Sequence, residues 1–406
     1  MIEQSQSIYY IAWAALCGAM GIAYIKFKSL EGQVITTKEF KVFQSGFLTG
    51  YSLVILCELI AAASFYHTFI SLKLSLEQIT KLYIITIVSS TATGIVGDII
   101  DIGARKDKCI LSALLYSASM FSIFFGGHYE MLLIGRIVYG AASSLHHSSF
   151  ESYAIQQHAS LGFPDDWLAQ TFSYLTHCMA IMAALSGILG QIAASTGHMG
   201  CVALCCVLFA SIAVYLFIVW EKDMNSTKYM LSSFIFNMTQ TANTVRSNRQ
   251  ILLFLVISSL CEASITIFTF YWAPWITSIV IEENHHLPYE ILFSCLIVTS
   301  MLGNYLFQLY TIQNNNTVNF NNANSNSNID MAFQAILITS SVSYFLGAIF
   351  QTSFMAFLIS IVVQLCMGCY WPAIGFFRGK IIPPELRSSC LTIARYALSC
   401  LLFKKI

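Results

Sequence analysis

Four charged side chains stand inside long apolar stretches of this sequence: Glu58, Arg136, Glu262 and Arg395. An ionisable group in hydrocarbon costs roughly 2.5 to 3.5 kcal/mol on insertion scales, so each is a functional candidate. A carboxylate such as Glu58 or Glu262, removed from water, could exchange a proton in step with a conformational change. A guanidinium is permanently charged and presents its donors in a planar fork that suits a tetrahedral oxyanion. Arg136 and Arg395, from well-separated parts of the chain, could therefore clamp a dianion. The plainer reading of each is a static brace to a hydroxyl, carbonyl or carboxylate on a neighbouring helix. His146, His147 and His177 lie in similar surroundings. An imidazole there is ordinarily a hydrogen-bonded bridge between helices, and a substrate or proton-relay role is the rarer use.

The elements that must hold these groups follow from composition. Of 406 residues, 57% are hydrophobic and only 10% are charged, which excludes an ordinary soluble globular protein. The apolar runs extend for about twenty residues, the length a helix needs to cross a bilayer, whereas barrel strands would alternate over about ten. The fold class is therefore all-α, a polytopic membrane protein. The runs are Ile8 to Ile25, Phe47 to Phe69, Leu82 to Ile100, Cys109 to Gly127, Met131 to Tyr153, Ala169 to Ser195 and Met199 to Trp220. After a polar connection come Ile251 to Ile276, Leu287 to Ile312, Met331 to Phe350, Phe354 to Phe377 and Ser388 to Phe403. This divides the chain into an extra N-terminal helix with its linker (1–46), a six-helix half (47–220), an inter-half loop (221–250) and a second group of about five helices (251–406). The Asn-rich tract 313–329 reads as a disordered loop insertion. Glu58 and Glu262 each fall about twelve residues into a span, about 18 Å deep and near the middle of the bilayer.

Lys and Arg orient the spans. The first run has no cation before it, and Lys26 and Lys28 follow it, the reverse of a signal peptide. An N-terminus outside places Lys38, Lys41, Arg105, Lys106, Lys108, Lys222, Lys228, Arg246, Arg249, Arg378, Lys380 and Arg387 on the cytoplasmic side, with Lys73 and Lys81 outside. The sequons at Asn225, Asn237 and Asn316 then face the cytoplasm and are expected to be unglycosylated. A net charge of zero gives no case for a nucleic-acid partner. The pair Cys366 and Cys369 is a lone C-x-x-C in an apolar helix, and packing is its expected role.

Between the second and third core spans lies Gly97-x-x-x-Asp101-x-x-Ala104-Arg105-Lys106, and the fourth span carries Gly135-Arg136-x-x-x-Gly140. These resemble the two signatures of the major facilitator superfamily, with Ala104 where the first motif usually has glycine. Phe150-Glu151, Phe163-Pro164-x-x-Trp167, Glu262 with Trp272-x-Pro274, Gly368-x-Tyr370-x-Pro372, Ile382-Pro383 and Arg395 are similar to the molybdate-anion transporter branch. The resemblance covers essentially the whole chain. It implies a twelfth span, whereas Ile406 falls within or just after the eleventh, so a chain cut short at its C-terminus is expected.

The resemblance implies a secondary active transporter that takes up molybdate or a related oxyanion by alternating access, with protons as a candidate coupling ion. Arg136, Glu262, Glu58 and Arg395 are then the substrate-binding or coupling residues. Gly97, Asp101, Arg105, Lys106 and Glu151 are the gating and conformational ones. The expected setting is a lipid bilayer, as a multi-pass monomer of the plasma membrane. The alternatives are a carrier of another anion or small organic solute, or an inactive truncated relative or sensor. No enzymatic centre, cofactor or metal site is expected; no H-E-x-x-H occurs.

Overall fold

The computed structural model describes residues 2–30, 36–99, 105–197, 199–221, 231–283, 287–317, 322–350, 352–383 and 390. Among these, regular structure is helical throughout: α1 (Ile2–Leu30), α2 (Lys38–Ser71), α3 (Leu76–Ile99), α4 (Arg105–Ser122), α5 (Tyr129–Ser160), α6 (Asp165–Ser195), α7 (Gly200–Val219), α8 (Leu231–Ser247), α9 (Arg249–Glu283), α10 (Tyr289–Thr317), α11 (Asn322–Ile349) and α12 (Ser353–Ile381). A short 3₁₀ turn, Ile123–Phe125, follows α4. Nine of the described helices are long and apolar enough to cross a membrane. The 24-residue α3 and the 32-residue α5 are also long enough, but Ser, Thr, His and charged residues lower their hydropathy.

Local chemistry sets several helix starts. Thr37 caps α2 by accepting from the amide of Phe40 (3.3 Å). Ser75 and Gln78 form a reciprocal box at α3: the Ser75 amide donates to the Gln78 side chain (2.9 Å), and the Gln78 amide to the Ser75 hydroxyl (3.3 Å). Asn248 Oδ1 accepts the amides of Gln250 (3.0 Å) and Ile251 (3.4 Å) at the start of α9. On the first turns of α3, Lys81 sits 2.6 Å from Glu77 and holds that carboxyl below its ordinary range.

Two expectations change. The connection 221–250 is more than a loop, because α8 occupies Leu231–Ser247. Its residues are too polar for a membrane run, so a search for apolar length passes over it. Both ends of the Asn-rich tract are helical: α10 continues to Thr317 and α11 begins at Asn322. Asparagine is a mediocre helix former, but helix already nucleated on either side propagates at little further cost.

The chain forms two compact units that interleave along the sequence. The first comprises Met1–Gln33, Ala183–Gln191 and Ile267–Lys380. Within it α1 lies along α10. Trp13 Nε1 donates to Ser294 Oγ (2.9 Å), which in turn donates to the Ala183 carbonyl (2.7 Å). Tyr24 and Phe27 flank the Tyr305 ring at 6.2 and 5.8 Å, and Tyr9 meets Phe357 of α12 edge-on at 5.3 Å. α10 and α12 approach backbone to backbone: a Cβ on Gly303 would lie 2.3 Å from the Leu365 carbonyl, and one on Gly368 1.9 Å from the Ser300 carbonyl. Such small-residue contacts are the usual way apolar helices associate in lipid.

The second unit comprises Val34–Met182, Ile192–Thr266 and Ile381–Ile406. Here α2 carries a long run of buried residues and lies along α7, α4 packs against both α5 and α7, and α3 lies along α5. A Cβ on Gly140 would lie 2.3 Å from the Thr86 carbonyl of α3, so α5 and α3 also meet at backbone distance. Phe163 and Trp167 surround Phe40, with ring centroids at 5.2 and 4.9 Å.

Candidate functional site

Within the second unit, Glu58 projects from the middle of α2, and α4 and α5 supply its surroundings. Tyr116 of α4, itself fully buried, donates its hydroxyl to Glu58 Oε1. The other oxygen, Oε2, lies 3.7 Å from Nε2 of His146, which α5 holds completely buried. Neither ring nitrogen of His146 has a hydrogen-bond partner. Aromatic rings close round this imidazole: Phe150 at 4.5 Å, Tyr51 at 5.1 Å and Tyr116 at 6.4 Å between centroids. The carboxylate therefore faces one fixed donor and one imidazole whose charge depends on protonation. Such a pair can hold one proton in either of two places.

Arg136 is on the same helix as His146, about 15 Å further along it by helical rise. Its guanidinium is 2% exposed and stands 3.8 Å over the Phe65 ring, with Tyr139 at 4.9 Å and Phe69 at 5.2 Å. Nη2 has no hydrogen-bond partner. The box satisfies the cation through ring quadrupoles. It leaves one donor unused, and an anion could take it. Tyr139 also meets Tyr116 edge-on at 5.0 Å, so an aromatic path joins Arg136 to Glu58 across α5, α4 and α2. Gly135, beside Arg136, offers its carbonyl to Ser119 Oγ (2.8 Å), which fixes α5 against α4 at this level.

Glu262 is half-buried on α9, where its carbonyl accepts the Thr266 hydroxyl (2.7 Å). Glu151 is exposed on α5. Of the signature loop, Gly97 lies in α3 and Arg105 and Lys106 open α4. Asp101 and Ala104 lie outside the described residues, as does Arg395. Lys106 donates to the carbonyl of Phe217 (2.8 Å) and to that of Trp220, closing the C-terminus of α7. His177 is buried near Tyr174 (6.1 Å). Cys369 Sγ donates to the Gly303 carbonyl (3.2 Å), a helix-packing contact.

Tyr116 was missed from sequence, since one tyrosine in an apolar run carries no mark of its partner. The only signal for it was indirect: a lone membrane carboxylate needs a donor, and the helices beside it must provide one.

The twelve-helix pattern, the backbone-close helix contacts and the buried charges can now be set against known proteins. A family model described as sugar transporters with 12 transmembrane segments, MFS_5, matches residues 8–363. The chain belongs to this family of the major facilitator superfamily. It is a multi-pass membrane protein and, by family, a transporter. Among curated relatives, the molybdate-anion transporter of Takifugu rubripes is 25% identical over 96% of this chain and 85% of its own length. That of Xenopus tropicalis is 27% identical over 92% and 80%. Among solved structures, the nucleoside transporter NupG matches with a TM-score of 0.66 at 12% identity, covering 88% of each chain. The D-xylose-proton symporter matches at 0.55 and 13% identity, over 89% of this chain and 86% of its own. At such identities the structures speak for the fold alone.

Proposed function

We propose that this protein is a secondary active transporter that carries molybdate, or an oxyanion of the same tetrahedral class, by alternating access. The observation that carries the reading is its alignment with molybdate-anion transporters over more than nine-tenths of its length. Arg136 supports it chemically, as a dry, charged guanidinium with an unused donor. Glu58 is the coupling residue: Tyr116 holds one of its oxygens, and the other meets His146. Protonation of this pair removes the charge that must otherwise be carried through hydrocarbon. Glu262 and Arg395 complete the proposed binding and coupling set. Gly97, Asp101, Arg105, Lys106 and Glu151 serve the conformational change. The proposed setting is the plasma membrane, with the N-terminus outside, a monomeric chain and no cofactor.

The second reading is a carrier for a small organic solute, favoured by the description of the matching family as sugar transporters. Uptake of labelled molybdate by cells expressing the chain separates the two. Uptake above background that an excess of a sugar leaves untouched supports the oxyanion reading; equal uptake by empty-vector cells overturns it. Competition with sulfate sets the selectivity within the oxyanion class.

A further inference from the structure

The Glu58 cluster has a third member that proton exchange does not use. His147 follows His146 on α5, and consecutive helical side chains diverge by about 100°. Their rings nevertheless lie 5.1 Å apart between centroids and nearly perpendicular. One ligand atom each from Glu58, His146 and His147 can be chosen so that all lie within 4.8 Å of one another.

We propose that Glu58, His146 and His147 form a binding site for a divalent transition-metal ion of the zinc class, bridging α2 and α5. Two imidazoles and one carboxylate are a ligand set that zinc accepts, with a fourth position left open. The hydrogen bonds at Glu58 and His147 suit such a site. Tyr116 engages Glu58 Oε1 and leaves Oε2 toward His146. His147 Nδ1 lies 2.8 Å from the Ser143 carbonyl, and the tautomer that donates there puts its lone pair on Nε2. An N–H to carbonyl bond behind the ligating nitrogen is the usual outer support of a metal-bound histidine. His146 is completely buried with both ring nitrogens lacking hydrogen-bond partners, and a metal bond satisfies one of them. His147 is exposed. Zinc–nitrogen bonds of about 2.0–2.1 Å place tetrahedral ligand atoms about 3.3 Å apart, so the three groups close by rotamer adjustment of at most about 1.5 Å.

The binding test stands apart from any transport assay, so its failure and the failure of the oxyanion reading are distinguishable. Full-length protein in detergent, stripped with a chelator, is titrated with Co²⁺ as a coloured probe and then with Zn²⁺. One Co²⁺ per chain, with visible absorption that Zn²⁺ abolishes, is expected. His147→Ala and His146→Ala should each weaken Co²⁺ binding by more than about tenfold. Because His147 is exposed, its alanine variant is expected to keep the fold, which circular dichroism checks. Absence of stoichiometric Co²⁺ binding by the parent chain, or affinity unchanged in folded His147→Ala, overturns the proposal.

Discussion

Lys106, the last residue of the signature loop, donates its ammonium to the main-chain carbonyls of Phe217 and Trp220 at the end of α7. A cation there satisfies carbonyls that have no partner within the helix and complements the negative end of its dipole. The loop that marks the family thus acts on a helix more than a hundred residues away in sequence. Tyr153 stacks on Trp220 at 4.3 Å and donates to the Glu221 carbonyl (3.2 Å), so α5 is tied to the same helix end.

Lys106→Met keeps the stem but removes the donors. It should cost about 0.5 to 1.5 kcal/mol, read as a lower thermal midpoint in detergent. An unchanged midpoint would show that the cap contributes nothing.

Glu58→Gln keeps the size of the side chain and can still accept from Tyr116, but cannot exchange a proton. Molybdate uptake should lose its dependence on external pH, while exchange of labelled for unlabelled molybdate persists. Tyr116→Phe should alter the pH profile as well, because it withdraws the donor on Oε1. Retention of the parent profile in both variants would remove Glu58 from coupling.

Arg136→Lys keeps a positive charge but not the plane that lies over Phe65. Loss of stacking and of the forked donors should reduce uptake at least tenfold, with a stability cost of about 1 kcal/mol. Full uptake by the lysine variant would leave only a point charge as the requirement.

Glycine positions separate packing from composition. Gly140→Ala and Gly368→Ala press a methyl group against main-chain atoms of the facing helix and should each cost about 1 to 3 kcal/mol. Gly18→Ala and Gly21→Ala meet nothing within 4 Å and should leave the thermal midpoint unchanged or slightly raised. Equal effects at all four would contradict the backbone contacts between α5 and α3 and between α10 and α12.

Much of the architecture was legible in the sequence because crossing a membrane is a local requirement. About twenty apolar residues make a span whatever surrounds them, and the helices α1 to α7 and α9 to α12 fall where the apolar runs lie. The same locality made α8 invisible, since its polar residues never form such a run. Burial of Arg136 and partial burial of Glu58 were also legible, as charges inside hydrocarbon-length segments.

Among the described residues, the sequence by itself determined where the apolar helices fall and which charges lie within them. The tertiary structure decided who holds them: Tyr116 and His146 for Glu58, the rings of Phe65, Phe69 and Tyr139 for Arg136, and α10 as the seat of α1. The physical reason is that a membrane helix is apolar on nearly every face. No polar stripe in its sequence marks the side that meets a neighbour, so partners are selected by the fit of small residues and hydroxyls over distances of many tens of residues.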